Sequence, residues 1–203
     1  MEFYINQSRL CEYTGHGGNV VIPARITVIG QKAFYECKSL TSIIIPPTVT
    51  TIEEWAFFCC AGLKELDIPP PVTHIGNFAF NSCDNLTSIT LPPTLTGVGS
   101  NVFSDCPKLK SVTLPSSLTY IGVSMFRCTG FESITIPSSV KNIREMAFCN
   151  CISLKSVEIP SLETIIENHA FSGCTSLEKV TCSRHTNIGK EAFPPSAKII
   201  YSD

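Results

Sequence analysis

Cysteine is the most chemically versatile residue type in this chain, because a thiolate can attack carbon, bind zinc or form a disulfide. The chain has eleven cysteines among 203 residues. Seven of them follow one another at spacings of 23, 23, 23, 22, 23 and 23 residues, namely Cys37, Cys60, Cys83, Cys106, Cys128, Cys151 and Cys174. So regular a spacing indicates one structural position repeated in successive units. We therefore interpret these seven cysteines as small buried hydrophobic residues.

The other candidate ligands and nucleophiles are dispersed along the chain. Outside the regular series stand Cys11, Cys59, Cys149 and Cys182, and the four histidines are His16, His74, His169 and His185. Zinc needs four converging ligands, and these histidines fall in different repeat units. The sequence contains no nucleophile-elbow, zinc-protease, phosphate-loop or dinucleotide-binding motif. We expect no catalytic, cofactor-binding or metal-binding residue and no enzymatic activity.

The elements that position these residues are units of about 23 residues. Proline recurs with this period at Pro23, Pro46, Pro69, Pro92, Pro115, Pro137 and Pro160, and phenylalanine at Phe34, Phe57, Phe80, Phe103, Phe126, Phe148, Phe171 and Phe193. In outline each unit reads I-P-x-x-V-x-x-I-x-x-x-A-F-x-x-C-x-x-L-x-x-I-x. A single unit cannot bury its apolar face alone, so stacked units must share one continuous core with the phenylalanines as its spine.

Each unit predicts the same local structure. The alternation of apolar residues at the end of the L-x-x-I-x-I stretch, such as Val112 and Leu114 after Leu109, indicates a β-strand, which the following proline ends. The A-F-x-x-C-x-x-L stretch has apolar residues three and four apart, which favours a short helical or 3₁₀ turn. The inward position at Cys182 replaces an isoleucine, so this cysteine is also expected in the core.

One unit is a residue shorter than the rest. Phe126 and Cys128 are only two residues apart, and Phe131 stands where other units have leucine. We place the missing residue in the turn between Phe126 and Cys128 and predict a local kink, not a domain boundary.

Composition narrows the domain organisation and the partners. A formal net charge of −2 without a basic stripe argues against nucleic acid, and no apolar run is long enough to insert into a membrane. The even composition predicts a single domain over 1–203, with an N-terminal cap at 1–22, repeats at 23–193 and a C-terminal cap strand at 194–203.

The pattern from Val20 to Pro46, VVIP followed by VIGQKAFYECKSLTSIIIP, resembles the BspA-like leucine-rich repeat family, as does the entry segment beginning at Tyr13. The resemblance covers nearly the whole chain. It implies a leucine-rich-repeat solenoid, formally of the α/β class but rich in β-structure, with one parallel strand per coil in a right-handed curved array of about eight coils. It also implies adhesion or protein binding, without naming a partner.

Two surfaces are candidate partner-binding sites. The first is a polar strip of outward strand residues, expected on the concave side, whose central members are Ser88, Thr90, Ser111, Thr113, Ser133 and Thr135. The second is a group of aromatic residues in neighbouring turns, Trp55, Phe58 and Phe78, since aromatic residues are enriched at binding hot spots. Solvated strand residues and packing between coils are the simpler explanations of the two sets.

The functional hypothesis is a non-enzymatic scaffold or assembly subunit that binds another protein. Because no signal peptide is visible and many thiols are unpaired in the pattern, an intracellular, reducing compartment is favoured. The alternative is a cell-surface adhesin that binds host proteins or glycans.

Overall fold

The computed structural model describes residues 2–202, which form nineteen β-strands and no helix. In chain order the strands are β1 (Phe3–Asn6), β2 (Arg9–Tyr13), β3 (Gly18–Val21), β4 (Val28–Ile29), β5 (Leu40–Ile44), β6 (Thr51–Ile52), β7 (Glu65–Asp67), β8 (His74–Ile75), β9 (Ser88–Thr90), β10 (Gly97–Val98), β11 (Ser111–Thr113), β12 (Tyr120–Ile121), β13 (Ser133–Thr135), β14 (Asn142–Ile143), β15 (Ser156–Ile159), β16 (Ile165–Ile166), β17 (Lys179–Cys182), β18 (Asn187–Ile188) and β19 (Lys198–Tyr201).

From β3 onward the strands alternate between two stacks. The odd-numbered strands pair as β3-β5, β7-β9-β11 and β13-β15-β17-β19, and the even-numbered strands as β4-β6-β8-β10 and β12-β14-β16-β18. All of these pairs are parallel, and their registers join residues one repeat apart, for example Ser88 with Ser111. Each coil therefore lies on the next coil, and the predicted parallel-strand solenoid of about eight turns is confirmed.

The phenylalanines form one stack through the core. From Phe34 to Phe193, successive ring centroids are 4.9 to 5.6 Å apart and their planes differ by no more than 18°. Phe80 and Phe103, for example, are separated by 5.5 Å at an interplanar angle of 7°. The spacing matches the roughly 4.8 Å distance between paired strands, so the strand ladder and the ring stack share one repeat.

The turn after each alanine is not helical, which corrects the prediction of a short helical or 3₁₀ turn. Alternate amides point into the next coil: Trp55 N–H donates to the carbonyl of Asn77 and Phe57 N–H to that of Ala79, at 3.0 and 2.8 Å. A helix directs its amides along its own axis and could not make these bonds. Two residues in each turn adopt a positive φ to achieve the alternation, such as Trp55 at 59° and Cys59 at 55°.

The short coil also differs from its prediction. Thr129, not Cys128, occupies the buried cysteine position, and its hydroxyl donates to the carbonyl of Phe126 at 2.8 Å. Cys128 is only half-buried and has a φ of 57°, like Cys59 in its own turn. The spacing from phenylalanine to the inward position is therefore intact. The missing residue lies further on, between Thr129 and the buried Phe131.

Both stacks are interrupted at this coil. In the described chain, β10 and β11 end their hydrogen-bonded sheets, and β12 and β13 begin the next ones. The turns remain joined, because Phe103 N–H donates to the carbonyl of Met125 at 2.9 Å. The odd-numbered stack also parts between β5 and β7, in coils of full length. At the short coil the missing residue precedes β13, whereas β12 lies before it in the chain and still parts from β10. We call this parting of the two strand stacks the seam.

The two predicted end segments each include one residue outside the described chain, Met1 and Asp203. Within the described part, β1 pairs antiparallel with β2, and the rings of Phe3 and Tyr13 extend the phenylalanine stack at 5.2 and 5.1 Å. At the other end β19 pairs parallel with β17. No helix in residues 2–202 has the length and apolar character needed to cross a membrane.

Candidate interaction surfaces

The repeated cysteines are structural, and they do more than fill space. Cys60, Cys83, Cys106, Cys151 and Cys174 are buried, and each thiol donates to the carbonyl of the phenylalanine one coil earlier at 3.0 to 3.4 Å. Burial raises the pKa of the Cys106 thiol to about 12 and the pKa of Cys83 well above its usual value. A protonated, buried thiol is a poor nucleophile and a poor metal ligand. Sequence reasoning identified the burial of these five thiols and missed their hydrogen bonds, while Cys37, also expected in the core, is half-buried.

The strand face consists of the outward side chains of the odd-numbered strands. Its six predicted residues, Ser88, Thr90, Ser111, Thr113, Ser133 and Thr135, are all exposed. Ser88 pairs with Ser111 and Thr90 with Thr113, so four of them form a compact group. Ser133 and Thr135 instead pair onward with Ser156 and Glu158. The seam separates the two groups, which the sequence did not indicate.

A crevice of about 440 Å³ follows the seam on the strand face. Ser111 and Thr113 contribute hydroxyl groups on one side and Ser133 and Thr135 on the other, together with apolar residues of the same two strands and their corners. Because β11 and β13 are edge strands of separate sheets, their facing backbone groups make no ladder with each other in the described chain. The crevice thus offers both hydroxyls and backbone donors and acceptors to a polar ligand.

The aromatic turn patch comprises Tyr35, Trp55, Phe58 and Phe78 together with Lys32. Tyr35 is 41% exposed, and Trp55, Phe58 and Phe78 are half-buried. The rings make contacts between coils: Tyr35 stacks on Phe58 at 5.1 Å, and Trp55 meets Phe78 edge-on at 6.0 Å. The structure therefore places the three predicted aromatic residues in two ring pairs, Trp55 with Phe78 and Phe58 with Tyr35.

Trp55 and Phe78 hold φ values of 59° and 56°, which are uncommon for bulky residues. The same position in other coils also has a positive φ, as at Lys32 with 60° and Asn101 with 57°. The repeat therefore imposes this backbone conformation, whichever side chain is present. One result is that successive side chains at this position project from equivalent points of adjacent turns.

Lys32 is the residue of the patch that sequence reasoning missed. Its ammonium lies 4.6 Å from the centroid of the Trp55 ring and 5.3 Å from that of Tyr35. Both distances are within the range of a cation–π interaction. The available signal was positional, since Lys32 stands one repeat before Trp55.

Charged side chains elsewhere mostly join successive coils. Arg127 pairs with Asp105 at 3.1 Å and Lys155 with Glu132 at 3.0 Å, each one coil away, whereas the bidentate pair of Arg9 with Glu53 spans two coils. These pairs are exposed enough for solvent to screen them, which agrees with a solvated charged surface. In residues 2–202 no three His, Cys, Asp or Glu side chains are grouped so as to hold a metal ion.

The family model for the BspA-type leucine-rich repeat region matches residues 7–129 and 98–201, in 6 copies. Among solved structures, the leucine-rich repeat protein TpLRR of T. pallidum is 32% identical, with a TM-score of 0.76 over 83% of this chain and 82% of that chain. A leucine-rich repeat protein of Eubacterium ventriosum is 23% identical, with a TM-score of 0.61 over 96% of this chain and 47% of that one, a likeness of fold alone. No curated protein matches the chain.

Proposed function

The chain belongs to the BspA-type leucine-rich repeat family, and from that premise we propose that it is a non-enzymatic scaffold or assembly subunit that binds another protein. The observation that carries the proposal is the aromatic turn patch. Tryptophan and tyrosine are enriched among residues that dominate binding energy, and they are most effective where neighbouring groups exclude water. Trp55 packs edge-on against Phe78, and the Lys32 ammonium lies over both Trp55 and Tyr35, so neighbouring groups cover part of the ring.

A non-enzymatic role is supported by how the side chains are distributed. Most inward positions hold apolar residues, and most charged side chains are exposed or join neighbouring coils. Catalysis requires polar groups held together in a place shielded from water. The surfaces of this solenoid instead suit contact with a second macromolecule.

Substitution of Trp55 tests the proposal. Protein captured from the native organism by the wild-type chain would be compared with that captured by Trp55→Ala and by Arg25→Ala, an exposed residue of the first coil that serves as the matched control. A hot-spot tryptophan contributes about 2 kcal/mol or more, so Trp55→Ala should weaken capture by about 30-fold. Arg25→Ala should behave as wild type. Equal capture by all three chains would contradict the assignment of the patch.

A second candidate function is a cell-surface adhesin that binds host proteins or glycans, and the crevice on the strand face is the observation that favours it. Its paired rows of hydroxyls suit a polyhydroxylated ligand. Thr113→Arg places a bulky cation on one bank and should abolish binding to a glycan array, whereas Trp55→Ala should leave that binding unchanged. Binding that survives Thr113→Arg would remove the crevice from consideration.

The two candidate functions also imply different compartments, and the oxidation state of the cysteines distinguishes a reducing compartment from an oxidising one. Denatured natural protein, alkylated without reductant and weighed intact, should carry eleven modified thiols if it comes from a reducing compartment. Protein from an oxidising surface environment should carry fewer modified thiols, because disulfides would protect some of them.

A further inference from the structure

Within the aromatic turn patch, the rings of Trp55 and Tyr35 form a site for a cation, and Lys32 of the same chain occupies it. The Lys32 side chain is exposed and free to extend into water, yet its ammonium lies over both Trp55 and Tyr35. The electron-rich faces of aromatic rings attract cations, and tryptophan is the strongest of them. The Trp55 and Tyr35 rings therefore both contact the single ammonium group of Lys32.

The two rings are held in place without help from the lysine. Tyr35 stacks on Phe58 with an interplanar angle of 10°, and Trp55 packs edge-on against Phe78. The backbone at Trp55 is joined to the next coil through Asn77. A rigid pair of walls with a flexible, four-carbon occupant is an arrangement from which the occupant can leave while the walls remain.

The surrounding charge also favours a cation from outside. The Glu36 carboxylate hydrogen-bonds to the Tyr35 side chain, and Glu54 immediately precedes Trp55 in the chain. The Glu54 carboxylate accepts a hydrogen bond from Gln31 at 3.4 Å and stays available to other donors. An anionic or purely apolar ligand would gain no attraction from these carboxylates.

We infer that the aromatic turn patch is a binding site for the lysine or arginine side chain of a partner protein, and that Lys32 fills this site while the partner is absent. The inference rests on the proposed function, because it names the chemistry of the partner at the same patch. Lys32 acts as an internal competitor: it lowers the apparent affinity for any other cation by the fraction of molecules in which it occupies the rings.

The chain carries its own probe, since Trp55 is its only tryptophan. Tetramethylammonium chloride would be titrated against the Trp55 emission, with sodium chloride at equal ionic strength and tert-butanol as the charge and shape controls. Saturation-transfer NMR to the methyl protons of tetramethylammonium provides a second readout. We expect tetramethylammonium to respond in both measurements and the two controls to be silent.

Removal of the internal competitor is the decisive comparison. Lys32→Ala should tighten tetramethylammonium binding about five- to tenfold, the factor expected if Lys32 fills the site in about 80–90% of molecules. Lys38→Ala, the matched control, removes an exposed lysine of the same coil and should bind as wild type. Adding Tyr35→Ala to Lys32→Ala should cancel the gain. Circular dichroism checks that each variant remains folded.

Several results would overturn the inference: equal responses to tetramethylammonium and tert-butanol, no response in Lys32→Ala by either readout, or the same tightening in Lys38→Ala. These results are separable from failure of the proposed function. If Trp55→Ala still captures the partner while tetramethylammonium binds, the cation site exists and is not the protein contact. If capture is lost while tetramethylammonium fails to bind, the patch is a protein contact that recognises something other than a cation.

Discussion

Truncation of a ring in the phenylalanine stack tests the physical basis of the solenoid. Phe103 has no exposed surface and lies between Phe80 and Phe126, with ring centroids at 5.5 and 5.6 Å. In Phe103→Ala both neighbouring rings lose a contact face, and the loss falls beside the seam, where strand pairing cannot compensate. The perturbation therefore isolates the contribution of the stack.

The magnitude follows from the burial. Transfer of a fully buried phenylalanine ring contributes about 2 kcal/mol, and an uncollapsed cavity on the order of 100 Å³ adds about 2.4 kcal/mol. The sum, near 4 kcal/mol, lies within the range of about 3 to 5 kcal/mol typical of such truncations. Partial collapse of the coils into the cavity would bring the loss in the free energy of unfolding toward about 3 kcal/mol.

Equilibrium urea unfolding measures the loss, followed by circular dichroism and by the emission of Trp55, so that unfolding in blocks would be detected. Phe58→Ala is the matched control, because Phe58 is half-buried and stacks on a single ring, Tyr35. It should cost about 1 kcal/mol. If Phe103→Ala destabilises the chain no more than Phe58→Ala does, the stack is not the main source of cohesion between coils.

Three further predictions concern other parts of the molecule. Thr186→Val should stabilise the chain by about 1 kcal/mol in thermal unfolding, since the buried Thr186 hydroxyl has no hydrogen-bond partner. Thr164→Val is the control: it removes a donor to the Val140 carbonyl and should destabilise the chain by about the same amount. Because burial raises the pKa of Cys106 to about 12, the unfolded chain releases this proton first, so the contribution of Cys106 to the free energy of unfolding should be level below about pH 8 and fall above about pH 9. In urea titrations, Cys106→Val should make the slope between about pH 9 and pH 12 shallower by about 1.4 kcal/mol per pH unit. Insertion of one alanine after Gly130 combined with Phe131→Leu should pair β11 with β13, and hydrogen exchange at these two strands should slow; unchanged exchange would show that the missing residue does not cause their parting.

Sequence reasoning identified the period, the strand positions and the inward residues, including the buried Cys182. These features follow from burial, which acts on every unit in the same way and therefore repeats in the sequence. The prediction of a helical or 3₁₀ turn was wrong because apolar residues three apart suit a helical turn and a series of β-turns equally. Hydrogen bonds to the next coil decide between them, and they form only when the coils are stacked.

The short coil shows the same distinction at one site. Cys128 matched the cysteine series by residue type, but the spacing from Phe126 in three dimensions places Thr129 inside. The missing residue precedes β13, so we attribute the parting of β11 from β13 to it, because registry between strands is a property of two coils together. The sequence of one coil could not reveal it.

The sequence by itself determined that this chain is a stack of similar coils with a phenylalanine core and that Trp55, Phe58 and Phe78 stand at variable, outward positions. Only the tertiary structure decided that Lys32 covers Trp55 and Tyr35, and that the thiols donate to carbonyl groups of the preceding coil. The physical reason is that burial is recorded by residue type at each position, whereas a contact between side chains 23 residues apart depends on the stacking that brings them within reach.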